Sequence, residues 1–227
     1  MKNNCQFKFI RITFLTIFSG ITMLLGAQSS SDGSFPQYLF PEFKDATLLM
    51  KNGQSQSAMM NYNTVTERMV YKKDGKMYDL IIPENLDTIY IQNRIFIPAG
   101  KMFYEVILKG THLALFIQQK GTLLSAGAPA AYGGTSQVSS VTSLSSIELS
   151  GGRYNIALPS DFIVNPSPVY WIRKENEMFS FLNEKQFLKI FPDKEKELKL
   201  FIKGNRIKIG KPEDLAKLVR YCDGLIK

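Results

Sequence analysis

The chain has 227 residues, of which 44% are apolar and 21% charged, and its formal charge is +8. A single histidine, His112, excludes any site needing two histidines, and two cysteines are too few for cysteine-rich zinc or iron–sulfur sites. About 200 residues beyond the leader described next are enough for one good core or two small ones.

Lys2, Lys8 and Arg11 precede an apolar run, ITFLTIFSGITMLL, which leads into Gly26, Ala27 and a polar stretch. This is the layout of a secretory signal peptide, expected over residues 1–27 with cleavage near Ala27 or Gln28. The run is too short to span a bilayer, where about 20 residues are needed. Cys5 lies in the charged leader rather than at the cleavage point, which disfavours a lipoprotein. The expected product is exported to the periplasm or beyond, carries no transmembrane anchor and keeps one thiol, Cys222. Removing the three leader cations leaves +5, and this excess lies wholly beyond Trp171, where 14 basic residues face 9 acidic ones.

Residues 28–45 read as a linker, and residues 46–181 as an antiparallel β domain, a sandwich or partly closed barrel. Short apolar runs with period-two alternation carry that reading. Asn52-Gly53 and Asp74-Gly75 sit between such runs and tolerate the positive φ of a two-residue hairpin turn. Between residues 102 and 108, alternation predicts Met102, Tyr104, Val106 and Leu108 on one side and Phe103, Glu105 and Ile107 on the other. Residues 113–117 are all apolar, as expected of a central strand. Residues 121–147 contain no charge and read as a long loop, either an adaptable surface excursion or a binding loop presenting Tyr132, Gly133 and Gly134. Strands are expected again at residues 154–158, 169–173 and 178–181, the last two joined at Glu175-Asn176.

Residues 182–227 read as a helical tail. Asn183 caps a turn starting at Glu184; Pro192 and Asp193 open a second segment that Gly204 closes; Pro212 starts a last helix. Leu198, Phe201 and Ile202 mark one buried stripe, and Leu215, Leu218, Val219 and Cys222 another.

The segments AMMNYNTVTERMVYKKDGK and FLKIFPDKEKELKLFIKGNRIKIGKPEDLAKLVRYCDGL resemble uncharacterised secreted proteins of Bacteroidetes-type bacteria. In that group a strand-rich body with a Tyr and Asn pair, here Asn61-Tyr62-Asn63, precedes a lysine-rich helical tail. The resemblance implies a location and a layout, and no activity.

Asp79, Glu84 and Asp87 form the densest acidic group in the strand region. They are the candidates for a carboxylate pair of the kind that glycoside hydrolysis uses, although solvated carboxylates are also expected beside turns. Cys222 reads as a buried small hydrophobe, or else as a nucleophile paired with His112. Lys194, Lys196, Lys199 and Lys203 are candidates for a basic binding face, with a solvated helix face as the plainer account. No phosphate loop and no nucleic-acid-binding motif occurs, and no cofactor or metal is expected. The expectation is a non-catalytic envelope or extracellular module for a protein, glycan or lipid partner. The alternatives are a carboxylate-dependent hydrolase of envelope glycans and a structural component of an envelope assembly.

Overall fold

The computed structural model describes residues 35–125, 128–129, 135–136 and 162–226. The expected signal peptide, most of the uncharged span including Tyr132, Gly133 and Gly134, and the strand expected at residues 154–158 lie outside them. The first strands are β1 (Lys44–Met50), β2 (Ser55–Asn63), β3 (Arg68–Lys73) and β4 (Lys76–Asp79). They are followed by β5 (Leu86–Ile91), β6 (Arg94–Ala99), β7 (Met102–Lys109) and β8 (Leu113–Gln118). Two small ladders pair β9 (Gly121–Ser125) with β12 (Phe162–Pro166), and β10 (Ala128–Pro129) with β11 (Thr135–Ser136). After β13 (Val169–Lys174) and β14 (Glu177–Phe181) come three helices: α1 (Glu184–Lys189), α2 (Glu195–Asn205) and α3 (Pro212–Leu225).

Ten strands form one antiparallel sheet in the order β14-β13-β8-β7-β6-β5-β1-β2-β3-β4. The fold is mainly β with a helical C-terminal part, and the sheet is not closed, consistent with a sandwich. Both marked dipeptides make hairpins. Gly53 has φ +84° between β1 and β2, while Asp74 and Gly75 both take positive φ between β3 and β4. β8 lies between β7 and β13 and is buried along its whole length, which explains its continuous apolar text.

One face of this sheet carries two hydrophobic cores. Over β1–β3 and β5–β7, Leu48, Met60, Tyr62, Met69, Ile89, Phe96 and Phe103 pack together, and the sheet curls enough for the Tyr62 and Phe96 rings to stack at 5.9 Å. Residues preceding β1 join them: Phe40 is in this core, and the buried Asn61 side chain bonds the Phe40 N–H and C=O and the Glu42 C=O. Over β8, β13 and β14, Leu115, Ile117 and Ile172 are covered by the helices through Phe187, Leu198, Ile202, Leu215 and Val219. Each large side chain buried in this way contributes about 1.5–3 kcal/mol.

Three local departures from the expected pattern have physical causes. A bulge between Val106 and Leu108 breaks the alternation of β7. Leu108 therefore pairs with Leu115 and packs with the helix-side core, not on the side of Tyr104 and Val106. The first five residues of the uncharged span are not loop but strand β9. Helix α2 runs through Gly204, and Arg206 takes the left-handed turn at φ 53°. There the N–H of Arg206 bonds Lys203 O and that of Ile207 bonds Ile202 O at 3.0 Å. Ile202 and Ile207 are both buried in the helix-side core, which places this stop two residues beyond the glycine.

Candidate functional site

The three expected acidic residues make separate contacts. Asp79, on the edge strand β4, accepts a hydrogen bond from Arg68 Nη1 at 3.0 Å. Glu84 is exposed in the loop before β5, where its carbonyl accepts from Lys51 Nζ at 2.8 Å. Asp87, exposed on β5, accepts from the Thr88 hydroxyl at 2.8 Å. Strands β3, β2 and β1 stand between Asp79 and Asp87 in the sheet.

Cys222 is 2% exposed, and burial pushes its thiol up to about 12. It lies in the helix-side core as a small hydrophobe, while His112 is exposed in the turn between β7 and β8. That turn is held by Asp223, in the last turn of α3. Its carboxylate accepts the N–H groups of Thr111 at 2.9 Å, His112 at 2.8 Å and Leu113 at 2.7 Å. Burial alone would raise the Asp223 pKa, but these three bonds and the nearby imidazole outweigh it and hold the carboxyl below its ordinary value. Gly110 is required beside it, because a Cβ there would lie 2.6 Å from Asp223 Oδ2.

A groove of about 640 Å³ opens between α3 and strands β6–β8, where the two cores meet. Its floor carries Glu105, which is 6% exposed and accepts from Arg94 through both Nε, at 2.6 Å, and Nη2. Gln119 Nε2 adds a third bond to Glu105 at 2.6 Å. Arg94 in turn lies over the Phe40 and Phe96 rings at 5.3 and 5.7 Å. Ile107, Ile117 and Ala216 supply apolar wall, and Glu213 and Arg220 stand exposed at the rim. Such a mixture of apolar wall and fixed polar groups suits recognition. The three hydrogen bonds from Arg94 and Gln119 fix the Glu105 carboxylate in place on the groove floor.

No family model matches this chain, nor does any curated protein or solved structure.

A second surface lies on the opposite face of the sheet. Tyr104 packs against Trp171 at 5.6 Å and Phe116 at 6.2 Å between ring centroids. Trp171 Nε1 donates to Gln118 Oε1 at 3.0 Å, and Gln118 Nε2 donates to Glu67, whose backbone is held at φ 57°. The third surface is the tail, where Lys194, Lys196, Lys199 and Lys203 are all exposed. Lys199 pairs with Glu195 one turn away at 2.5 Å, and this hydrogen bond and charge lower the Glu195 pKa. Among the described residues no group of three or more His, Cys, Asp or Glu side chains is arranged to hold a metal, and no helix is long and apolar enough to cross a membrane.

Proposed function

We propose that the chain is an exported, non-catalytic binding module of the bacterial envelope or extracellular space. The observation carrying the reading is the groove under α3, whose one buried carboxylate, Glu105, is held by three hydrogen bonds from Arg94 and Gln119 and so gives the floor a fixed polar feature beside apolar walls. The signal-like leader and the resemblance to secreted proteins of Bacteroidetes-type bacteria support the location. A second reading, glycan hydrolysis by paired carboxylates, has in its favour that Glu105 and Glu213 line one groove.

The test is cross-linking in the native envelope, with proteins, lipids and glycans all identified, on the wild type and on a Glu213→Arg/Arg220→Glu variant that exchanges the exposed rim charges. A partner whose recovery saturates, and which the variant loses, is the expected result. Recovery of the chain alone overturns the reading. So does release of reducing ends from envelope glycans that Glu213→Gln abolishes, which would establish the hydrolase.

A further inference from the structure

The outward face of α2 is built differently from the groove. Leu198 and Ile202 point into the core, so Lys196, Lys199, Leu200 and Lys203 form the opposite stripe, spanning about 100° of the helix by its 3.6-residue period. All four are exposed, and Leu200, at 73%, is flanked by the three lysines. Glu195 offsets Lys199, while Lys196 and Lys203 have no ion pair among the described residues. The charge continues onto the neighbouring helix. Lys185 and Lys189 of α1 line a shallow cleft of about 560 Å³ together with Lys199, Glu184 and Glu195. Five lysines against two glutamates leave this two-helix surface positive.

We infer that this surface docks on an anionic phospholipid bilayer, with α2 lying in the interface plane. The inference deepens the binding-module reading by naming one partner, and it rests on that reading. Charge complementarity selects an anionic partner, and the position of Leu200 selects a bilayer among anions. Lysine stems extend upward to phosphates while an apolar side chain between them enters the acyl boundary. A soluble polyanion offers the lysines the same phosphates but gives Leu200 nothing. The core-facing stripe of α2 is already covered by α3 and β-sheet residues, so the helix does not need to leave the fold to present this face.

The experiment is sedimentation of the purified mature chain with vesicles of phosphatidylcholine containing none or one third phosphatidylglycerol, at low and high salt. Binding is expected only with the anionic lipid and weaker at high salt. Each lysine near such a surface contributes about a five-fold factor, so Lys196→Gln/Lys203→Gln is expected to weaken partitioning about 25-fold. Glu195→Gln, which releases Lys199, is expected to strengthen it. Leu200→Ser is expected to lower binding about ten-fold at either salt concentration, because its part is apolar. All of these side chains are exposed, and an unchanged melting profile confirms the fold of each variant. Equal binding to neutral vesicles, or indifference to the paired lysine substitution, overturns the inference. So does polyphosphate binding as tight as vesicle binding with Leu200→Ser without effect. Loss of vesicle binding with the groove partner retained rejects the bilayer alone, whereas loss of the groove partner with vesicle binding retained rejects the groove reading alone.

Discussion

Replacing Gly110 with alanine tests whether Asp223 acts as the latch between α3 and the β7–β8 turn. The new methyl would lie 2.6 Å from Oδ2 and 2.8 Å from Cγ of Asp223, closer than nonbonded atoms allow, so the carboxylate must move off its three N–H donors. Two of those bonds, to Thr111 and His112, are exposed and water can replace them. At about 0.5 kcal/mol each they matter less than the bond to Leu113, which is partly buried and worth about 2 kcal/mol as a charge-assisted bond. Gly110→Ala and Asp223→Ala are therefore each expected to cost about 3 kcal/mol, and the double variant little more than either alone. The assay is urea unfolding followed by the fluorescence of Trp171, the only tryptophan. The pH dependence has a definite sign. A carboxyl whose folded pKa is depressed stabilises the fold above its unfolded value, near 3.8, and loses that contribution as pH falls through the lower folded value. The gap between wild type and Asp223→Asn should close as pH falls below 4. If Gly110→Ala costs as much in the Asp223→Ala background as in the wild type, the latch does not exist.

Three further tests probe the interior. The Tyr62 hydroxyl is fully buried without a partner among the described residues, and burial raises its pKa, so Tyr62→Phe should be neutral or up to about 1 kcal/mol more stable; a loss above 1 kcal/mol in the same urea assay refutes this. Glu105→Gln leaves the Arg94 charge without its counter-ion and should cost about 3 kcal/mol, most of it recovered in Glu105→Leu/Arg94→Met. A double variant no more stable than the single one would show that the pair is worth more than its desolvation. Cys222, buried and with its thiol pushed up to about 12, should resist a thiol reagent at pH 8 until urea unfolds the chain. Stoichiometric labelling of Cys222 itself in the folded protein would contradict that placement.

Local features of the fold were legible in the sequence because their causes are local. Asp74-Gly75 carries its own turn, Asn183 caps α1 by accepting from the Gln186 N–H at 3.0 Å, and the stripe of Leu215, Leu218, Val219 and Cys222 is buried as spaced. The groove was not legible, since Arg94, Glu105 and Gln119 are joined only by the register of β6, β7 and β8. One signal did exist: alternation put Glu105 on the same side as Phe103, and a carboxylate on an apolar face requires a cation from another strand. Likewise Asp223 stands at the negative end of a helix, where the backbone dipole disfavours it, so its reason had to lie outside α3. Asp79, Glu84 and Asp87 were grouped by closeness along the chain, which strand order does not preserve. The αL position of Arg206 was missed because the glycine rule competes with the burial of Ile207 two residues beyond Asn205.

The division of one sheet face into two cores, with the Arg94–Glu105 pair at their junction, has a consequence for how the molecule opens. A polar seam transmits little packing energy, so each half can lose order without dragging the other with it. The helices cover Leu115, Ile117 and Ile172, and their release would leave the strands on the far side of the seam paired and filled. Amide exchange would then record two protection levels along a single continuous ladder, stepping between β6 and β8. A chain cut after β14 would fail by exposing sticky surface on β8 and β13, not by melting β1–β3.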